Sequence, residues 1–173
     1  MCGIAGIIAV PGLEVQADRL EALATALAHR GPDGQGMYIS GTVGLIHVRL
    51  AIIDLEGGGQ PLFSPAKTAL VANGEIYNYL ELKADLADAV FATHSDCEPM
   101  LHLYERKGID FVKDLRGMYA LALHDPRTDR VILARDPFGI KQLYYAETPE
   151  GVVFASEAQA LIAAGFVTPA VSK

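Results

Sequence analysis

Tryptophan is absent from this 173-residue chain, and cysteine nearly so, with Cys2 and Cys97 the whole complement. Two cysteines cannot build the disulfide framework of a small secreted domain and fit a reducing cytosol, so a cytoplasmic location is expected. No apolar run reaches the roughly 18 residues that a membrane-spanning helix needs. The opening MCGIAGIIAVPG is apolar, but it has no basic n-region and no small-residue cleavage site. It therefore reads as a buried strand and not as a signal peptide. Positive charge is also scarce: 14 Lys and Arg face 21 Asp and Glu, for a net charge of -7. Without a dense basic run, neither nucleic acid nor an anionic membrane is an expected partner. No Gly-x-Gly-x-x-Gly follows a strand and no Walker-type loop occurs, which removes support for dinucleotide and P-loop chemistry. The histidines His29, His47, His94, His102 and His124 are scattered, with no pair at a metal-binding spacing, so no metal is expected.

What remains is an ordinary globular composition, 51% hydrophobic and 20% charged. A chain of this length suits one domain and buries roughly 70% of its unfolded surface. Residues 3–9 are short, apolar and β-branched, and Pro11-Gly12 ends them as a strand. Residues 16–28 place Leu20, Leu23 and Leu27 at helical spacing with Ala24 alongside. Strands are expected at 36–40, 43–48, 51–54 and 68–72, with 57–61 (GGGQP) a flexible loop. Helices are expected at 78–88 and 96–106, the second with Ser95 or Asp96 as N-cap. The second half alternates β pattern and turns at 117–124, 130–135, 143–147 and 151–155. A short helix over about 156–164 then closes on Gly165. Roughly eight strands in hairpin-like succession with four helices give an α+β domain of mostly antiparallel sheets.

Cys2 has a chemical opportunity that a cysteine elsewhere lacks. Once Met1 is trimmed, thiol and free α-amine sit on one residue. An ordinary thiol, with a pKa of about 8.5, is mostly protonated at neutral pH, whereas an α-amine near 7.7–8.0 is partly neutral. The amine can then serve as base to the nucleophile beside it, and afterwards pass the proton to a leaving group. Read alone, Cys2 is equally a small hydrophobe at the start of a strand.

Other residues supply possible partners. Asn73-Gly74 directly follows an apolar strand, and an amide side chain with the next backbone N–H can stabilise an oxyanion, although the pair also makes a plain turn. Arg49 could clamp a carboxylate bidentately or form a surface salt bridge. Glu75 and Asp96, at loop edges, could hold an ammonium group, or be respectively a solvated side chain and a helix cap. One arginine with one or two carboxylates is what the two charged ends of a free amino acid require.

The ordered segments Met1-Cys2-Gly3-Ile4-Ala5-Gly6, Arg30-Gly31-Pro32-Asp33, Arg49-Leu50, Gln60-Pro61-Leu62 and Asn73-Gly74-Glu75-Ile76-Tyr77-Asn78 form one pattern with Ser95-Asp96-Cys97-Glu98, Arg135-Asp136-Pro137-Phe138-Gly139-Ile140-Lys141 and Ala155-Ser156-Glu157. That pattern, spanning residues 2 to about 162, resembles the class II glutamine amidotransferases, an N-terminal-nucleophile family. Its nearest branch is the glutaminase domain of glutamine-dependent asparagine synthetases. The resemblance implies a four-layer αββα sandwich and hydrolysis of L-glutamine to glutamate and ammonia. It implies Cys2 as nucleophile with Asn73 and Gly74 as the oxyanion hole. Arg49 would take the substrate carboxylate, Glu75 and Asp96 the ammonium, with the backbone of Leu50, Ile52 and Ile53 lining the pocket. The whole of 1–173 is expected to be one such domain, without the family's synthetase domain. No cofactor is expected within it, and ATP and magnesium only in a synthetase partner that accepts the ammonia.

The chain departs from the pattern at Gln142, where proline is usual, and at Ala51, where serine is common. Cys97 reads as a structural thiol, and the 135–139 corner as structural before catalytic. Tyr77, Tyr144 and Tyr145 read as core or interface. Two other readings stand beside the enzyme: a silent glutamine-binding module, and a dimerisation domain of a larger synthetase, with a homodimer possible.

Overall fold

A computed structural model describes residues 1–52, 54 and 57–170. Nine strands and four α-helices occur among them. The strands are β1 (Gly3–Ala9), β2 (Gly34–Ser40), β3 (Val43–Arg49), β4 (Leu62–Phe63), β5 (Ala69–Ile76), β6 (Gly117–Asp125), β7 (Arg130–Arg135), β8 (Tyr144–Thr148) and β9 (Gly151–Ala155). The helices are α1 (Ala17–Leu27), α2 (Tyr79–Asp85), α3 (Pro99–Lys107) and α4 (Ala158–Ala163). None of the described helices is long and apolar enough to cross a membrane.

The strands form two sheets, in the orders β2-β3-β1-β9-β8 and β4-β5-β6-β7, with every pairing antiparallel. Side chains alternate across each strand, so each sheet presents one face inward and one outward. Ile4, Val43, Leu45 and Phe154 from the first sheet meet Ala69, Val71, Ala120 and Ala122 from the second in a middle apolar layer. On the outer face of the first sheet, Ala5, Ile46, Val48 and Val153 pack under Leu20, Leu23, Ala24 and Leu27 of α1 and Leu161 of α4. On the outer face of the second, Leu70, Ala72, Ile76 and Leu121 pack under Leu82 of α2 and Met100, Leu101 and Leu103 of α3. Helix, sheet, sheet, helix is the four-layer αββα arrangement. The α1 face is the one its leucine spacing predicts.

Several local expectations change. Residues 51 and 52 are not in a strand, because the main-chain N–H groups here go to side chains: Leu50 to the Cys2 sulfur and Ala51 to Asp33 Oδ2 at 2.8 Å. The expected strand at 68–72 does not stop before Asn73 but runs on to Ile76, so Asn73 and Gly74 lie within β5 and form no turn. Loop 57–61 is held at two points, Gly58 being buried and Gln60 hydrogen-bonded to β5. Neither Ser95 nor Asp96 caps α3, which begins at Pro99. Gly165, at φ 77°, does close α4 through its N–H to Ile162.

Candidate active site

Alternation on β1 sends Cys2 and Ile4 toward the middle layer, and the same alternation on β5 sends Asn73 and Val71 toward it from the other sheet. Cys2 therefore sits at the open end of that layer, facing the second sheet. Its sulfur accepts the Leu50 N–H at 3.4 Å and lies 3.5 Å from the Leu50 carbonyl oxygen, which the thiol can engage as donor. Its carbonyl accepts Arg30 Nε at 2.9 Å, and Arg30 is tied in turn to Glu157 by a 2.6 Å ion pair. Ser156 grips the next residues, its Oγ accepting the Ile4 N–H at 2.9 Å and its N–H donating to the Ile4 carbonyl.

The Arg30-Gly31-Pro32-Asp33 segment supports the same place. A Cβ on Gly31 would lie 2.4 Å from the Arg49 nitrogen, so only glycine lets this turn lie against the end of β3. The Asp33 N–H donates to the Arg49 carbonyl at 2.9 Å.

In front of Cys2 lies a cleft open to solvent. Of the residues that the sequence nominates, Cys2, Arg49, Leu50, Ile52, Gly74, Glu75 and Asp96 line it. Ile53 lies outside the described residues. Asn73 is set behind the wall, 3% exposed, and its Nδ2 is buried without a hydrogen-bond partner among the described residues. A buried amide donor without an acceptor is costly unless a ligand oxygen meets it, which is the property of an oxyanion donor. Arg49, the last residue of β3, donates to the Asp54 carbonyl at 2.5 Å.

Asp96 is 5% exposed, and its Oδ2 accepts the Ile76 N–H at 2.7 Å. Burial raises its carboxyl pKa above the usual range; the Ile76 N–H opposes that and the Glu75 charge adds to it. A cationic ligand group would favour its charged form. Cys97 is buried against the same cleft, and burial pushes its thiol well up, with Asp96 and Cys2 adding to the effect. That suits the structural thiol read from sequence and not a second nucleophile.

Sequence reasoning passed over Gln60 and Ser95, which also line the cleft. Gln60 stands in a quoted motif, but its glycine-rich neighbours suggest mobility. Tyr77, Tyr144 and Tyr145 are exposed, which removes them from the core. The 135–139 corner is structural: buried Asp136 accepts N–H groups from Tyr119, Phe138, Ile140 and Lys141.

The family described as a glutamine amidotransferase domain matches residues 1–173. Asparagine synthetase [glutamine-hydrolyzing] 2 of Bacillus subtilis (strain 168) is 47% identical over 165 residues, covering 93% of this chain and 22% of that protein. Asparagine synthetase B [glutamine-hydrolyzing] of Escherichia coli (strain K12) is 43% identical over 167 residues, covering 94% and 30%. The chain thus spans less than a third of these relatives' length. Among solved structures, glutamine phosphoribosylpyrophosphate amidotransferase from B. subtilis superposes with a TM-score of 0.78 at 26% identity, over 95% of this chain and 44% of that one.

Proposed function

The chain belongs to the glutamine amidotransferase domain family, and from that premise we propose that it hydrolyses L-glutamine with Cys2, freed by removal of Met1, as the nucleophile. The observation that carries this is the convergence of the Cys2 sulfur, Gly74, Arg49 and Asp96 on one cleft, with Asn73 Nδ2, which has no hydrogen-bond partner among the described residues, behind it. Arg49 holds the substrate α-carboxylate, while Asp96 and Glu75 hold the α-ammonium. The side-chain amide then reaches the sulfur.

The Cys2 amine takes the thiol proton as sulfur attacks the amide carbon. Negative charge collects on the carbonyl oxygen, where the Gly74 N–H and Asn73 Nδ2 stabilise it. The C–N bond breaks as the ammonium proton returns to nitrogen, releasing ammonia and leaving a glutamyl thioester. Water, deprotonated by the same amine, attacks that carbonyl; the C–S bond breaks and glutamate and thiol are restored. We assign the ammonia to an ATP-dependent synthetase that amidates a carboxylate, and by the names of the relatives, to asparagine synthesis. ATP and magnesium belong to that partner. The exposed Phe138, Ile140 and Tyr145 support a contact surface for it, and the two free cysteines support a reducing, cytoplasmic setting.

The test is a glutaminase assay on the processed chain, with mass spectrometry of quenched reactions. Turnover, a glutamyl adduct on Cys2 and loss of both in Cys2→Ala are expected. Retention of Met1 in the active protein, or a Cys2→Ala variant as fast as the parent, overturns the assignment.

A further inference from the structure

Strand β5 is an edge strand for most of its length. It pairs with β4 only at Leu62↔Leu70 and Phe63↔Ala69. Extending that register by two places sets Gln60 opposite Ala72, with Pro61, which has no N–H, in between. The Gln60 side chain makes the connection there: Nε2 donates to the Ala72 carbonyl at 3.1 Å, and Oε1 accepts the Ala72 N–H at 2.6 Å. Hydrogen bonding alternates along an antiparallel strand, so the main-chain groups of Ala72, Gly74 and Ile76 point to the same side. The Ile76 N–H is taken by Asp96. Between these two held positions, the Gly74 N–H faces the cleft.

Gln60 is itself braced. A Cβ on Gly36 of β2 would fall 1.8 Å from the Gln60 carbonyl oxygen, so the two backbones are in direct contact.

We infer that Gln60 is a positioning residue that sets the edge of β5, and with it the height and aim of the Gly74 N–H and the Asn73 amide. This rests on the amidotransferase reading above. Oxyanion donors act only if they meet the oxygen at the geometry of the tetrahedral intermediate, and a displacement of about 1 Å can cost about 10²-fold in rate. Ground-state binding of glutamine, held at its other end by Arg49 and Asp96, is far less sensitive to that aim.

The experiment compares Gln60→Met, which keeps length but no polar group, with Gln60→Glu, which keeps the acceptor for the Ala72 N–H and loses the donor. Each is assayed in the processed chain for kcat and KM with glutamine. Inhibition by L-glutamate γ-semialdehyde, whose adduct with the thiol is tetrahedral, is measured beside the affinity for glutamate. For Gln60→Met, kcat falls about 10- to 100-fold while KM stays within about twofold. The aldehyde weakens in step with kcat, glutamate binding is unchanged, and Gln60→Glu is intermediate.

Unchanged kcat in both variants overturns the assignment. So does a parallel loss of aldehyde and glutamate affinity, which would make Gln60 a binding contact. If Gln60→Met does not fold by circular dichroism, Gln60→Glu decides by the same readouts, and failure of both to fold also overturns it. A parent chain that does not hydrolyse glutamine overturns the amidotransferase reading, whereas an active parent with unaffected variants overturns the Gln60 assignment alone.

Discussion

His47 is 1% exposed, beside Arg49 in the wall between the sheets. Burial, reinforced by the Arg49 charge, lowers its pKa to about 4. The unfolded chain takes up this proton near pH 6.5 and the folded chain only near 4, so acidification through that window favours unfolding. The loss is at most on the order of 3 kcal/mol. Denaturant titrations at stepped pH should show it in the parent and not in His47→Gln; equal acid sensitivity in both would refute it. At Asn73, replacement by alanine removes a donor that the proposed mechanism uses only in the transition state. Turnover should fall by about 10²- to 10³-fold with KM little changed, and steady-state kinetics check this. The proposed nucleophile and amino-acid clamp could be nominated at this scale because residue chemistry allowed their roles and the family resemblance chose among the readings. Gln60 was not, because its role lies in which backbone its amide reaches.

Strand β5 is the element on which the site depends, and its extent was the main misreading of the local pattern. Asn-Gly has strong turn preference, yet here both residues pair with β6 as Asn73↔Ala120 and Gly74↔Tyr119. A ladder with a buried neighbour outweighs local turn propensity. Glycine is needed at 74 because a Cβ would come within 2.6 Å of the Met118 carbonyl. A more selective test lies away from the site. Gly36→Ala drives a methyl into the Gln60 backbone and should cost about 1–3 kcal/mol of stability. It should also lower kcat, measured at a temperature where the variant remains folded. Wild-type kcat in a folded Gly36→Ala variant would mean that this contact does not transmit to β5. The described residues 51 and 52, which form no strand, have the same lesson in reverse. Their apolar side chains suit a strand, but Leu50 and Ala51 give their N–H groups to Cys2 and Asp33.

For the whole molecule, the two sheets must stay in register face to face, since Cys2 leads directly into β1 of one and Asn73 lies in β5 of the other. Phe154 is the largest of the fully buried side chains in the middle layer that joins them. Phe154→Ala should destabilise by about 3–5 kcal/mol in urea titration, with activity lost together with folded structure. By itself the sequence pattern determined the α+β class and the α1 core face, while its resemblance to the amidotransferase family implied the αββα layering and nominated Cys2, Arg49, Asn73, Gly74 and Asp96. Periodicity and residue chemistry are properties of the chain, readable before it folds. Only the tertiary structure decided that Asn73 and Gly74 sit inside a strand, that Asp33 and Cys2 replace a strand at 51, and that Gln60 stands in for a missing ladder partner. These depend on which backbone groups are left unpaired once two sheets close on each other, and that follows from packing across long sequence separations.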